Sequence, residues 1–125
     1  MHEASIAQSI VQTVLKEAKR QEANRIESVE IEIGELTFLG IEQVQFWVKT
    51  GFKRTIAENA KILFRKVKAK LHCDRCGYKG HLKLREDPAY HMALPSFSCP
   101  HCQSAQIKIV QGKEVLIRRI KILKH

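Results

Sequence analysis

The chain lacks long apolar runs and low-complexity tracts. Its longest apolar stretches are only a few residues, whereas a membrane-spanning helix needs roughly 18 apolar residues or more. No tract rich in Gly and Ser, Pro or Gln indicates a disordered linker. The start of the chain, with Glu3 near its tip, also lacks the apolar run of a signal peptide. We therefore expect an ordered, cytoplasmic protein with no membrane segment.

Acidic residues are scarce in the second half of the chain, although the net charge of the 125 residues is only +9. Residues 1–60 hold seven Lys or Arg against nine Asp or Glu, while residues 61–125 hold fifteen against four. Such an excess of positive charge favours an acidic protein surface or nucleic acid as a partner. A basic surface that is merely solvated accounts for the same excess equally well.

Two segments show the apolar spacing of amphipathic helices, within a length that suits one main domain. Apolar residues recur every three or four positions over residues 4–22 and again over residues 41–51. Gly51 is placed to end the second helix, and Trp47 is expected in the core rather than in a ligand site. The sequence therefore predicts two helices that pack on one core.

Two segments, residues 28–34 and 60–71, alternate apolar and polar residues with the period of two that strands require. Residues 115–123 are rich in Ile and Val and are predicted to form a further strand. The segment at residues 60–71 changes phase between Phe64 and Val67, and we expect a β-bulge to absorb the change within one long strand. The pattern predicts an α+β fold with a small sheet of about three strands, whose last two strands flank a cysteine-containing segment.

Four cysteines stand in two Cys-x-x-Cys pairs, Cys73/Cys76 and Cys99/Cys102, with twenty-two residues between the pairs. This spacing is close to that of paired zinc knuckles, because one tight turn presents both thiolates of a pair to one ion. Gly77 supplies a residue that tolerates a positive φ after the first pair. Four thiolates fill a tetrahedral shell and leave no open position, so the spacing predicts a structural Zn²⁺.

Two enzymatic interpretations of the same cysteines are weaker. A dithiol oxidoreductase would use Cys73 and Cys76, but neither pair opens a helical pattern as a thioredoxin-like motif does. A zinc hydrolase would use Glu58 or Glu86 as base, but four cysteine ligands leave no vacancy for water. We therefore expect no enzymatic activity from this centre.

Histidines adjoin both cysteine pairs, at His72 and His101. Either imidazole is able in principle to replace a thiolate under acid or oxidising conditions. The simpler interpretation makes both of them surface residues.

The first three residues form a second candidate metal site. A bulky residue at position 2 prevents trimming of the initiator methionine, so Met1 keeps its amine at a fixed distance from the imidazole of His2. The amine, the amide nitrogen of His2 and its imidazole close two chelate rings on one ion, and the amide of Glu3 completes a plane. Such a nitrogen-rich tetragonal site suits Ni²⁺ or Cu²⁺, and these residues alone do not choose between them.

Met1-His2-Glu3, the Ile33-Gly34-Glu35-Leu36 segment and the paired cysteine motifs together resemble the HypA/HybF family of nickel-insertion accessory proteins. The similarity spans nearly the whole chain. Further similar segments lie at residues 55–62 and 112–117, although the family often has Gly at the position of Asn59.

The resemblance implies a metallochaperone that delivers Ni²⁺ to the large subunit of [NiFe]-hydrogenase together with a HypB-type GTPase. Some family members also serve urease maturation, so urease accessory proteins are further candidate partners. The resemblance also implies a nickel site built from Met1 and His2 with Glu3 beside it, and a structural zinc. His91, between the cysteine pairs, is a candidate for an additional nickel ligand.

The family fold is a mixed three-stranded sheet with two helices and an inserted zinc module. Carried onto this chain, residues 1–70 and 108–125 form a nickel-binding α/β domain, and residues 71–107 form the zinc-binding module. This architecture agrees with the one predicted from periodicity.

The main competing hypothesis is a zinc ribbon that binds nucleic acid. It accounts for the basic second half but not for the N-terminal Met-His-Glu. Proteins that stack bases need exposed aromatic residues among the basic ones, and this half offers few, chiefly Tyr78, Tyr90 and Phe97. We therefore expect nucleic acid to be the less probable partner.

Overall fold

The computed structural model describes residues 2–81, 84–87, 92–95 and 98–124. The chain forms two compact units, each built from separate segments. The first unit comprises Met1–Ile33, Phe38–Lys66 and Val115–His125, and the second comprises Gly34–Thr37 and Val67–Glu114. The predicted zinc module, residues 71–107, lies inside the second unit, which is longer at both ends.

The helices and strands follow the α+β pattern that the sequence predicts. The helices are α1 (His2–Arg20) and α2 (Ile41–Phe52), with a short 3-10 turn at Glu35–Thr37. The strands are β1 (Arg25–Gly34), β2 (Lys61–Val67), β3 (Lys70–Cys73), β4 (Lys79–His81), β5 (Leu84–Asp87), β6 (Met92–Pro95), β7 (Ile107–Gln111) and β8 (Val115–Leu123).

Helix α1 buries one stripe of small and branched side chains. Ala7, Ile10, Val14 and Ala18 are at most 4% exposed, and they recur at the spacing of one helical face. Glu3 lies in the first turn, where a carboxylate interacts favourably with the N-terminal end of the helix dipole. The helix predicted over residues 4–22 is therefore confirmed, with both ends shifted by two residues.

Helix α2 packs against α1 through Val44, Val48 and Phe52, which are buried. It continues past Gly51, which the sequence analysis expected to end it. A Cβ at Gly51 would come within 2.8 Å of Val11 Cγ2, so the glycine permits close approach of the two helices. Packing therefore explains this glycine, and that part of the prediction is wrong.

The expectation that Trp47 lies in the core is also wrong. Trp47 is 45% exposed and Phe46 is 61% exposed, and the two rings meet edge to face with centroids 5.2 Å apart. The buried residues of α2 recur at four-residue intervals, whereas Phe46 lies on another face and Trp47 lies at the edge of the buried stripe.

The sheet of the first unit has the strand order β2-β1-β8. Strands β1 and β8 pair antiparallel, with register irregularities near Ser28 and Glu30. Ile26, Val29 and Ile31 of β1 are at most 1% exposed and belong to the same buried cluster as the helix residues. The strand predicted at 115–123 matches β8 at both ends, and β1 extends the predicted strand by three residues at its start.

The second unit contains a sheet of order β4-β3-β7 and a separate antiparallel pair, β5-β6. Strand β3 pairs antiparallel with both neighbours. Among the described residues, the core of the second unit is small and centres on the buried residues Ala69, Leu71, Cys73 and Cys99.

Residues 60–71 do not form one long strand with a bulge. Strand β2 ends at Val67, and β3 begins at Lys70 in a different sheet. The change of phase between Phe64 and Val67 therefore precedes a break between two strands, and the bulge prediction is wrong.

A close backbone crossing within the second unit explains Gly112. This glycine has φ +91°, and a Cβ on it would lie 2.6 Å from the Cα of Ala69. Its carbonyl accepts the amide of Leu36 at 2.8 Å, and the Ala69 amide donates to Glu35 Oε1 at 3.2 Å. Segments 34–37, 67–69 and 112–114 are thereby joined.

In the part of the chain that the structure describes, no helix has the length and apolarity to cross a membrane.

Candidate metal sites

The four cysteines come together in the second unit. Their sulfur atoms all lie within 4.8 Å of one another. Cys73 Sγ and Cys102 Sγ are 3.7 Å apart, and Cys76 Sγ and Cys99 Sγ are 3.6 Å apart. A tetrahedron with Zn–S bonds of about 2.3 Å has edges of about 3.8 Å, whereas a disulfide requires about 2.05 Å. These distances fit one Zn²⁺ and show four free cysteines.

The two Cys-x-x-Cys turns share one backbone design. The amide of Gly77 donates to the carbonyl of Cys73 at 3.0 Å, and the amide of Gln103 donates to the carbonyl of Cys99 at 2.8 Å. Gly77 has φ +79° and Gln103 has φ +60°, so the fourth residue after each first cysteine is left-handed. The positive φ predicted at Gly77 is confirmed. The positive φ of Gln103 was not predicted, because non-glycine residues such as glutamine rarely adopt it.

A second hydrogen bond closes each turn from the other side. The amide of Cys73 donates to the carbonyl of Tyr78, and the amide of Cys99 donates to the carbonyl of Ser104, both at 2.8 Å. Ser104 is 7% exposed, and its hydroxyl accepts the amide of Gln106 at 3.1 Å. The sequence analysis did not single out Ser104, although its five-residue offset from Cys99 matches that of Tyr78 from Cys73.

Backbone amides point at the first sulfur of each pair. The amides of His101 and Cys102 lie 3.4 and 3.5 Å from Cys99 Sγ. Hydrogen bonds from the backbone N–H of Cys76, and secondarily that of Arg75, together with bonds from neighbouring sulfurs, lower the pKa of Cys73 to about 7. Hydrogen bonds of this kind favour the thiolate, which is the form that binds metal.

The sulfurs cannot all become thiolates unless a cation balances them. The backbone N–H of Tyr78 lowers the pKa of Cys76, but desolvation and the neighbouring sulfurs outweigh it and raise that pKa to about 12. One thiol of the group therefore ionises easily while another resists. A divalent ion at the centre removes this repulsion, so the donor set and its spacing both fit Zn²⁺.

Neither neighbouring histidine belongs to this group of four sulfurs. His72 Nδ1 lies 3.8 Å from Asp74 Oδ1. The ring of His101 lies nearly parallel to that of Tyr78, with centroids 6.3 Å apart. Among the described residues, the cysteine group also contains no carboxylate, so a hydrolytic role for Glu58 gains no support.

The N-terminal candidate site is only partly described. Met1, the side chain of His2 and the whole of His91 lie outside the described residues. Glu3 Oε2 accepts the amide of Gly40 at 3.2 Å. The backbone N–H of Glu3 itself, followed by that of Gly40, lowers the pKa of the Glu3 carboxyl to about 2. The first turn of α1 is thus attached to the residue that precedes α2.

The chain can now be compared with known proteins. A family model described as "Hydrogenase/urease nickel incorporation, metallochaperone, hypA" matches residues 1–122. The chain belongs to the HypA family. The HypA resemblance inferred from the sequence is therefore confirmed, and nickel handling is the function of this family. The family consists of metallochaperones and maturation factors.

The relatives are similar along their whole length. The chain is 36% identical to the hydrogenase maturation factor HypA of Pyrococcus horikoshii, with 100% of this chain and 98% of that protein covered. It is also 36% identical to the HypA of Methanothermobacter thermautotrophicus, with coverage of 99% and 98%. The solution structure of the Ni metallochaperone HypA from Helicobacter pylori superposes with a TM-score of 0.67 at 22% identity, covering 98% of each chain. That likeness supports the fold.

Proposed function

We propose that this HypA-family protein carries Ni²⁺ on its first three residues and delivers it to the large subunit of [NiFe]-hydrogenase. The observation that carries this proposal is the match of the HypA family model from residue 1 through residue 122. It includes the N-terminal residues whose nitrogen atoms suit nickel. A HypB-type GTPase is the proposed working partner, urease maturation is a second possible client pathway, and the cytoplasm is the proposed compartment.

The zinc is proposed to be structural. Four sulfurs that lie within 4.8 Å of one another provide a complete tetrahedral shell and no place for a substrate. The second unit has a small core, so a metal there contributes directly to its folding.

The nickel site is proposed at Met1, His2 and Glu3. Helix α1 begins at His2, and the first N–H groups of a helix have no acceptor within that helix. The amide nitrogens that would join the imidazole around nickel are therefore not committed to the helical ladder. His91 stays a candidate for a further ligand.

The decisive experiment is calorimetric titration of Ni²⁺ into the zinc-loaded protein and into its His2→Gln variant, whose bulky second residue keeps Met1 in place. We expect one-to-one binding with micromolar or tighter affinity in the wild type. This binding should be lost in the variant, because the imidazole closes one of the chelate rings. An absorption spectrum recorded during the titration reports the geometry of the bound nickel.

His101→Ala is the matched control, because it removes an exposed histidine that lies beside the zinc cysteines. It should leave nickel affinity unchanged. Equal, weak binding by wild type and His2→Gln would contradict the N-terminal site. Loss of binding in the His91→Ala variant would add that residue to the ligand set.

The affinity should also fall steeply below about pH 6.5, because imidazole binds metal only in its neutral form. Titrations at pH 7.5 and pH 5.5 measure this dependence. An affinity that stays the same at pH 5.5 would exclude the imidazole as a ligand.

A further inference from the structure

The sheet β4-β3-β7 has one face turned away from the core of the second unit. Leu71 and Cys73 of β3 are buried. Because side chains alternate along a strand, Lys70 and His72 lie on the opposite face. This outer face therefore begins with two basic residues on its central strand.

Strand register adds further basic residues to the same face. His72 lies opposite Lys79 on β4 and opposite Lys108 on β7, while Lys70 lies opposite His81. Residues that are directly opposite in a sheet share a face. We call this surface the basic face, and it consists of Lys70, His72, Lys79, His81, Lys108 and Val110.

The basic face brings together lysines from three adjacent strands, Lys70 of β3, Lys79 of β4 and Lys108 of β7. Among the described side chains, Asp74 is the acid that contacts this face, 3.8 Å from His72. The lysine ammonium groups therefore outnumber the described carboxylate at this surface.

The sheet of the first unit offers an internal comparison. There, Glu32 Oε2 lies 3.7 Å from Arg65 Nη1 on β2, and Glu32 Oε1 lies 3.7 Å from Arg118 Nε on β8. Glu30 lies 3.8 Å from Arg119, its cross-strand partner. The first sheet thus pairs opposite charges across its strands, whereas the basic face has three lysines and one acidic contact among the described side chains. An anionic partner would supply the complementary charge to these lysines.

The basic face also contains an apolar cleft. Its volume is about 510 Å³, and it is lined by Lys70, Leu71, His72, Lys79, Gly80 and Val110. Val110 is 63% exposed and contributes apolar surface to the cleft. An apolar surface between ammonium groups fits an aliphatic side chain that is flanked by carboxylates.

We propose that the basic face is a docking site for an acidic segment of a partner protein, with one aliphatic side chain of that segment held in the cleft beside Val110. Nucleic acid fits less well. The basic face contains no arginine, the residue whose guanidinium makes bidentate phosphate contacts. None of its six residues is an aromatic platform of the Phe, Tyr or Trp type on which bases stack. The proposal does not depend on the nickel site.

The test uses the zinc-loaded full chain and a fluorescein-labelled 12-residue peptide made of Asp and Glu with two Leu residues. Fluorescence anisotropy measures its binding. The triple variant Lys70→Gln, Lys79→Gln and Lys108→Gln should weaken binding by on the order of tenfold or more, because it removes the facing charges. Val110→Ser should weaken binding by about threefold without any change of charge.

The matched control removes three exposed lysines from the helices and helix end of the first unit, as Lys16→Gln, Lys49→Gln and Lys53→Gln. Its net charge equals that of the first triple variant, so it should retain nearly all of the affinity. Equal losses in the two triple variants would overturn the proposal in favour of nonspecific attraction. A 12-nucleotide single-stranded RNA that binds more tightly than the peptide, and is lost in the first variant, would overturn it in favour of nucleic acid.

Two further measurements keep the result interpretable. Raising NaCl from about 50 to 500 mM should weaken peptide binding, because it shortens the screening length to well under 10 Å. Nickel titration of the first triple variant should match the wild type, which separates docking from metal binding.

If the triple variant fails to fold, Lys108→Gln alone should weaken peptide binding by about threefold, and unchanged binding in that variant would contradict the proposal.

Discussion

Glu17 on α1 shows how local contacts hold a carboxylate in its charged form. Arg20 Nε donates to Glu17 Oε2 at 3.0 Å, and Gln21 Nε2 donates to Glu17 Oε1 at 3.3 Å. The hydrogen bond from Arg20, followed by that from Gln21, lowers the pKa of Glu17 to about 2. Both partners are one helical turn away, so the contact requires α1 to be formed.

Substitution of Arg20→Gln should raise the pKa of Glu17 toward the usual value of about 4.3, because it removes the largest cause of the shift. An NMR titration of the Glu17 carboxyl carbon measures it, with Lys19→Gln as the control. Since the folded pKa lies below the unfolded value, the stabilisation is present above about pH 4.5 and is lost as pH falls toward 2. The variant should lose this part of the dependence of Tm on pH. An unchanged titration midpoint would show that Arg20 is not the cause.

Residue type predicted some backbone conformations and not others. Gly77 was identified because glycine tolerates a positive φ, whereas Gln103 takes the same conformation at the equivalent position. The hydrogen bonds around the second cysteine pair determine that conformation, and they involve contacts that the residue type does not encode. Trp47 was predicted in the core because it lies three residues after Val44, but the buried residues of α2 recur every four residues, so Trp47 lies at the edge of their stripe and is exposed.

Helix α2 carries phenylalanines on opposite faces. Phe52 is 1% exposed and belongs to the core of the first unit, whereas Phe46 is 61% exposed. Substituting each phenylalanine by alanine therefore makes the same change of residue type in one helix, and a difference in stability between the two variants reports burial.

Phe52→Ala should lower the free energy of unfolding by ~3–5 kcal/mol, because it leaves a cavity in a packed core. Phe46→Ala, the matched control, should lower it by less than ~0.5 kcal/mol. Urea unfolding followed by circular dichroism measures both values. Comparable losses in the two variants would mean that Phe46 is covered in solution.

Strands were predictable where one pattern belongs to one sheet. Strand β8 changes phase between Arg118 and Arg119, where its register with β1 shifts, but it stays in one sheet and its predicted limits match the structure. Only two residues separate the end of β2 from the start of β3, although the two strands belong to different sheets. In the sequence, their alternating patterns therefore look like one strand that contains a bulge. The pairing that separates them involves β1 and β7, which are distant in sequence, and a local pattern cannot specify such partners.

At the scale of the whole molecule, the two units have separate and unequal cores. Among the described residues, the first buries twelve apolar residues, eleven from α1, α2 and β1 and the twelfth, Ala57, from a turn. The second buries four of its described residues, and two of those are Cys73 and Cys99. The metal ligands are therefore a large part of the interior of the second unit, and its stability should depend on zinc.

Removal of zinc by a strong chelator, or the variant Cys99→Ser, should unfold the second unit while the first stays folded. Amide NMR spectra distinguish the two outcomes, because resonances of α1, α2 and β8 should keep their dispersion while those of β3 and β7 collapse. Restoring zinc to the chelated wild type should restore the dispersion. Simultaneous loss of both sets would contradict the independence of the first unit, and retention of both would contradict a structural role for zinc.

The placement of β8 has a consequence for the order of events during translation. This strand completes the sheet of the first unit, yet the ribosome makes it after both pairs of zinc cysteines. Until β8 is in place, the backbone groups of β1 that face it have no antiparallel partner. A polypeptide that ends before β8 would keep both cysteine pairs but would leave this edge of β1 unpaired. Completion of the first unit therefore waits for the last strand to be synthesised.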